Sequence, residues 1–193
     1  HALKDVNLEI PAGMFGLLGP NGAGKSTLYY TMDSLKNMPR VNTDEIVRTF
    51  GDWKNPSDVI KAGKTAVRRV EEYFAKGVSF NQETTLCGNS ILRNIEKAKK
   101  LGYFVELHYV GVDSAETAKE RIAYRVRQGG HGIPDADVER RYVESLAKLK
   151  SIVNICDLAV LYDNTDMFRQ FAVLEKGERK YWSDLIPGWY SGE

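Results

Sequence analysis

No apolar run in this chain of 193 residues could cross a bilayer: even the longest, such as residues 158–162, fall far short of the roughly 20 positions a spanning helix needs. A dominant charge is also missing. Lys and Arg total 27 against 26 Asp and Glu, a net charge of +1, so no global field points to DNA or an anionic membrane. Neither is expected as a partner. Cysteine is down to Cys87 and Cys156, which fit no metal-ligand spacing and read as two free thiols in a reducing cytosol. The sequence given begins at His1, and it shows no charged-then-apolar signal segment; a cytoplasmic location is expected. Repeats, low-complexity tracts and linkers are absent as well. With 42% apolar and 27% charged residues, the composition is that of an ordinary globular protein, and a single domain over residues 1–193 is expected.

What the sequence does contain is a regular exchange of strand and helix signals. Residues 3–10 alternate apolar and polar and read as a half-buried strand closed by Pro11-Ala12-Gly13. The apolar run 14–18 follows, then a glycine-rich loop, then a helix from Lys25 to about Leu35. Val41 marks a short strand. Residues 56–76 carry helical spacing, with Val59, Ala62, Ala66, Val70 and Phe74 on one face. Strands are predicted at 78–82, 103–112 and within 152–164, with helices at 86–101, 114–128 and 135 to about 149. A hairpin is predicted around Lys176-Gly177. Strands alternating with helices imply right-handed βαβ units and a mostly parallel sheet between two helical layers.

The loop Gly19-Pro20-Asn21-Gly22-Ala23-Gly24-Lys25-Ser26 meets the spacing G-x-x-x-x-G-K-S, after an apolar strand and before a helix. Glycines at these positions let successive backbone N–H groups converge on one anion at a helix N-terminus. Gly19, Asn21, Gly22, Ala23, Gly24, Lys25, Ser26 and Thr27 are therefore candidate nucleotide contacts. Lys25 should reach the β- and γ-phosphates, and the Ser26 hydroxyl should ligate Mg²⁺. No N-K-x-D segment of the kind guanine-specific switch GTPases carry is present, so ATP is the expected nucleotide.

Two resemblances follow from longer stretches. Residues 3–28, Leu3-Lys4-Asp5-Val6-Asn7-Leu8-Glu9-Ile10-Pro11 through Thr27-Leu28, look like the start of an ABC-transporter ATPase, but no L-S-G-G-Q signature follows and no apolar strand ends in Asp-Glu. From about residue 41 to 164 the chain resembles the zeta toxin family of UDP-N-acetylglucosamine kinases. The matching stretches are Val41-Asn42-Thr43-Asp44-Glu45-Ile46, Glu83-Thr84-Thr85-Leu86-Cys87-Gly88, Gly102-Tyr103-Phe104-Val105-Glu106-Leu107, Arg125-Val126-Arg127-Gln128-Gly129-Gly130-His131-Gly132-Ile133-Pro134, Arg140-Arg141-Tyr142 and Leu161-Tyr162-Asp163-Asn164. The glycine-rich loop suits this family too. Cys87 stands where its pattern has Ser, and the longer C-terminal part of the toxins is missing.

This second resemblance implies a three-layer P-loop kinase fold. Counting from the strand before the loop, it implies a mostly parallel sheet of order 2-3-1-4-5, an Arg-rich helical lid over about 114–145 and a C-terminal hairpin. It also implies ATP-dependent phosphoryl transfer to a small-molecule hydroxyl, with a UDP-linked amino sugar as acceptor and a protein antitoxin as partner. Asp44, just past the second strand, would be the general base; helix N-cap is its structural alternative. Glu83 and Thr85 would bind the acceptor. Arg125, with Arg140 or Arg141, would clamp phosphate charge, although each arginine equally suits a solvated helix face. Arg121 and Arg125 share a face, and Arg127 points elsewhere. His131, in a flexible Gly-Gly-His-Gly segment, is a substrate-contact candidate, and Asn164 is a candidate for the nucleotide base. Trp53, Trp182 and Trp189 read as packing groups. A nucleoside- or nucleotide-type kinase, or an ABC-type ATP-hydrolysing module, would share the loop.

Overall fold

The structure, a computed structural model, describes residues 12–190; the strand expected at residues 3–10 lies outside them. The chain runs β1 (Gly13–Leu18), α1 (Lys25–Thr31), α2 (Asp33–Lys36), β2 (Arg40–Asn42), α3 (Thr43–Arg48), α4 (Pro56–Lys76) and β3 (Phe80–Thr84). It continues with α5 (Ser90–Lys100), β4 (Phe104–Gly111), α6 (Ala115–Arg127), α7 (Asp135–Ile155), β5 (Leu158–Asp163), β6 (Arg169–Glu175) and β7 (Glu178–Trp182).

The seven strands form one sheet of order β2-β3-β1-β4-β5-β6-β7. The first five in this order are parallel, and β6 and β7 add an antiparallel edge. The order expected from the resemblance is therefore observed, and the Lys176-Gly177 hairpin closes β6 onto β7 with both residues at positive φ, as a type I′ turn requires. One face of the sheet buries Phe80, Val105, Leu107 and Tyr109 under α3, α4, α5 and the C-terminal half of α7. The other face buries Leu17, Val110 and Val112 under α1 and α6. Because the central strands are covered on both sides, β1 and β5 are apolar over most of their length, while the polar pair Glu106 and His108 of β4 meet each other at 2.7 Å.

Helix boundaries follow capping chemistry. Asn55 caps α4 by accepting from Ser57 N–H, with Pro56 in the first turn, and Ser114 caps α6 by accepting from Thr117 N–H. Three expected elements are corrected. The helix from Lys25 stops at Thr31: Met32 is extended, and a second short helix turns Leu35 into the core at 1% exposure. Ile152 and Val153 are helical, not strand, because Leu149, Ile152, Val153 and Cys156 keep an i, i+3, i+4, i+7 stripe that α7 buries before β5 begins at Leu158. The helix expected from residue 86 starts at Ser90, since Leu86 is buried in a turn at φ 64°.

Candidate active site

The parallel strands point their carboxyl ends to one edge, where doubly wound sheets bind ligands. β1 delivers the glycine-rich loop there between β3 and β4. Two of its glycines have no substitute. Gly19 lies at φ 137° with a would-be Cβ 2.0 Å from Val110 O, and Gly22 lies at φ 79° with one 2.6 Å from Ala118 O on α6. The loop is thus wedged between β4 and α6, its path fixed by the absence of side chains. Inside it Lys25 is buried at 7% exposure, and its ammonium donates to Gly19 O (2.9 Å) and Pro20 O (3.0 Å). Burial holds the Lys25 pKa below its ordinary value, against the opposing pull of Glu83 and Asp44.

β2 and β3 bring the carboxylates. Glu83 accepts from Arg40, which also pairs with Glu45 at 2.8 Å, and from Asn42 Nδ2 at 3.0 Å. Arg40 in turn lies 3.6 Å above the Tyr29 ring. Asn42 also caps α3, where its Oδ1 accepts from Asp44 N–H (2.8 Å) and Glu45 N–H (3.3 Å). The N-cap alternative for Asp44 is thereby corrected. Asp44 is an exposed first-turn residue of α3 whose carboxylate makes no hydrogen bond or ion pair among the described residues.

Asp44 sits where three clefts meet. One, of about 370 Å³, is lined by Asn21, Lys25, Asp44, Glu83, Thr85 and Cys87, with Arg140 and Arg141 along α7. The second, of about 300 Å³, is lined by Gly22, Gly24, Lys25, Ser26 and Thr27 of the loop, by Asp44 and Glu83, and by Arg48, Arg121, Arg125 and His131. The third opens towards Trp53. The first two share Asn21, Lys25, Asp44 and Glu83, so the phosphate loop and the carboxylates face a continuous space.

The lid residues divide by environment. Arg121 donates to Thr165 O (2.7 Å) and Arg125 Nε donates to His131 O (2.9 Å). One further guanidinium nitrogen of each, and His131 Nδ1, are buried without a hydrogen-bond partner, although both arginines line the phosphate-loop cleft. Unpaired buried donors carry a desolvation cost that an anionic oxygen would offset. Arg127 lies near the Tyr124 ring instead. Arg141 reaches Asn21 Oδ1 at 3.4 Å and so bridges α7 to the loop. Arg140, half exposed, pairs with Asp137 (2.8 Å) and Glu144 (3.0 Å) on its own helix. Asn164 buttresses the loop, donating from Nδ2 to Ala23 O at 2.8 Å.

Burial, with Arg125, Arg48 and Arg141 nearby, keeps His131 below its usual 6.5 despite Asp44. A folded-state pKa below the unfolded one means the unfolded chain takes up its proton first. Stability tied to His131 is thus intact above 6.5 and is lost as pH falls from there towards the depressed folded value. His131→Gln is expected to lose less thermal stability than wild type between pH 7.5 and pH 5, measured by calorimetry.

Several residues of the site escaped sequence reasoning. Arg40 and Asn42 hold Glu83 across 43 and 41 positions, and no spacing announces such a pair. Asp163, buried at the end of β5, accepts from Thr165 Oγ1 (2.7 Å), Arg169 (3.1 Å) and Trp189 Nε1 (2.9 Å), anchoring the turn that carries Asn164. The only sequence signal for this anchor is an Asp closing an apolar strand. Among the described residues no cluster of three or more His, Cys, Asp or Glu could hold a metal ion. A magnesium ion at Ser26 would therefore depend on phosphate oxygens and water, which is its usual preference.

The fold recurs in known structures. The AvrRxo1-ORF1:AvrRxo1-ORF2 complex with ATP superposes with a TM-score of 0.73 at 15% identity, covering 90% of this chain and 61% of the other. The chain thus spans about three fifths of that protein's length. The PezAT chromosomal toxin-antitoxin system of Streptococcus pneumoniae superposes with a TM-score of 0.57 at 18% identity, covering 81% and 68%. In sequence, an uncharacterized protein of Haemophilus influenzae is 34% identical over 125 residues, 64% of this chain and 88% of that protein. The profile of the AAA domain matches residues 14–147, a span that starts on β1 and takes in the glycine-rich loop, Asp44, Glu83 and the arginines of α6 and α7; the chain belongs to the AAA domain family.

Proposed function

We propose that this protein is an ATP-dependent small-molecule kinase of the zeta toxin type, transferring the terminal phosphoryl group to an acceptor hydroxyl. The observation that carries the reading is the unpaired Asp44 carboxylate, which lines both the cleft of Lys25, Ser26 and the arginines and the cleft of Glu83 and Thr85. A hydrolase needs only the first cleft; a transferase needs both, with a base between them.

In this reading the triphosphate lies along the loop 19–26. Lys25 exchanges Gly19 O and Pro20 O for phosphate oxygens, and the buried guanidinium nitrogens of Arg121 and Arg125 find the partners they lack. The Ser26 hydroxyl would help to hold a magnesium ion, which when bound would supply charge neutralisation at the phosphates. The acceptor oxygen attacks the γ-phosphorus as the bond to the bridging oxygen breaks and ADP leaves; the hydroxyl proton passes to Asp44. Glu83, fixed by Arg40 and Asn42, and Thr85 orient the acceptor, while Arg141 couples α7 to the loop through Asn21. Such positioning supplies much of the rate in phosphoryl transfer.

The resemblance favours UDP-N-acetylglucosamine as acceptor, and the toxin-antitoxin system among the structural neighbours supports a protein antitoxin as partner. The test is ADP formation by the magnesium-loaded protein with and without UDP-N-acetylglucosamine or nucleosides. At least one acceptor should raise the rate well above that of ATP alone. A rate indifferent to every acceptor would favour an ATP-hydrolysing module.

A further inference from the structure

A third cleft, of about 430 Å³, opens on the other side of Asp44 and differs in character from the two already described. Its walls are Val47, Trp53, Val59, Ile60, Ile133 and Pro134. It shares Thr43, Asp44, Val59 and Arg141 with the carboxylate cleft and Asp44 and His131 with the phosphate-loop cleft, so it is continuous with both. The volume lies within the range of small-molecule pockets.

Helix α4 explains how the apolar surface arises. Its stripe Ala62, Ala66, Val70 and Phe74 is buried against the sheet. Val59 lies on the same face by spacing, yet it is 42% exposed, and Ile60 beside it is 60% exposed. The first turn of α4 overshoots the core, so its apolar side chains project over the cleft beside Asp44. In the same cleft, Trp53 meets the His131 ring edge-on at 4.5 Å, and Gly132 passes so close that a Cβ there would lie 3.2 Å from the indole. The indole is thus pinned, with its wall preformed. Scattered exposed apolar residues need no explanation, but Val59 and Ile60, exposed on a largely apolar cavity beside the Asp44 carboxylate, do.

We propose that this cleft is an acceptor subsite for an uncharged, largely apolar ring carried next to the hydroxyl that reaches Asp44. The inference rests on Asp44 facing the acceptor, and it adds that acceptors are amphipathic rather than uniformly polar. A ring seated against the apolar walls at Trp53 and Ile60 loses water on its contacting surface, whereas a bare sugar gains little from these walls. Substrate choice would then be set above all at Trp53 and Ile60, neither of which lines a cleft with the nucleotide loop.

The test compares phenyl β-D-glucoside with methyl β-D-glucoside, two probes with the same hydroxyls and different aglycones, by ligand-detected saturation-transfer NMR titration. Phenyl glucoside should bind at least about tenfold more tightly, a difference of roughly 1.4 kcal/mol, with saturation on its ring protons. Ile60→Asp should abolish that advantage and Val59→Ser should reduce it. Both sites are exposed, so the unfolding temperature should not change, and because Ile60 lines no cleft with the nucleotide loop, Ile60→Asp should leave ATP affinity unchanged. Equal affinity for the two probes, no binding of either, or an advantage that survives Ile60→Asp would overturn the proposal. Binding here needs no ATP: ring binding without phosphoryl transfer would sink the kinase reading alone, and transfer without ring preference would sink the subsite alone.

Discussion

Lys25→Met is expected to lower phosphoryl transfer by about 10²–10³-fold, because in the proposed reaction it removes the charge that would meet the transferring phosphate. Methionine keeps much of the unbranched stem, so the packing of the loop against β4 and α6 should survive. Folding should not suffer. The Lys25 ammonium is 7% exposed, and burial already works against its charge, so removing it relieves a desolvation cost while giving up two hydrogen bonds to Gly19 O and Pro20 O. The unfolding midpoint is expected to stay within about 3 °C of wild type, the shift that about 1 kcal/mol gives a domain of this size. Activity lost at preserved stability separates a direct role from a damaged fold. Steady-state rates and a thermal melt on the same preparation check both halves.

Asp44→Asn should give the opposite division between binding and turnover. Here kcat is expected to fall by about 10²–10⁴-fold, the usual contribution of a positioned base. ATP affinity should change by less than about twofold, since the loop and the arginines are untouched. The substitution is clean because Asn42, not Asp44, caps α3, and because Asp44 is exposed and makes no hydrogen bond among the described residues. The stability change should stay within about 0.5 kcal/mol, which covers a lost carboxylate in the first turn of a short helix. If Asp44→Asn keeps its kcat, the proton goes elsewhere.

These two sites also mark what the sequence made legible. The spacing from Gly19 to Ser26 specifies a loop whose conformation is local, so strand, loop and helix could be placed before any contact was known. The strand order came with the resemblance: alternation of strand and helix implies right-handed parallel βαβ units but does not by itself order the strands. Asp44 could be placed at the carboxyl edge, but not its local role: Asn42 and Asp44 both suit an N-cap, and only the fold shows which side chain turns back. Arg40, Asn42 and Glu83 form their network across more than 40 positions, and Trp189 reaches Asp163 from the C-terminal segment; such pairings depend on the finished sheet. The apolar cleft was hidden for a related reason. Val59 obeys the buried periodicity of α4, and nothing in a stripe announces where the core ends and a cavity begins.

The boundary errors have the same origin. Apolar residues at 149, 152, 153 and 156 fit a helix, but Ile152 and Val153 are β-branched and lie close to a true strand, so propensity and periodicity disagreed. Tertiary burial decided in favour of periodicity. Met32 is the converse: nothing in residues 25–36 interrupts a helical pattern, yet the chain breaks there and Leu35 is delivered to the core.

The most direct test of the central claim, that one continuous site joins a phosphate donor to a hydroxyl acceptor, is the fate of the γ-phosphoryl group. The protein would be incubated with magnesium, ATP labelled at the γ-phosphorus, and a panel of UDP-sugars, nucleosides and small hydroxyl metabolites. Label is expected in a phosphorylated acceptor in step with ADP formation, and in neither Lys25→Met nor Asp44→Asn beyond a trace. Label released only as inorganic phosphate, at one rate whatever acceptor is present, would contradict the account.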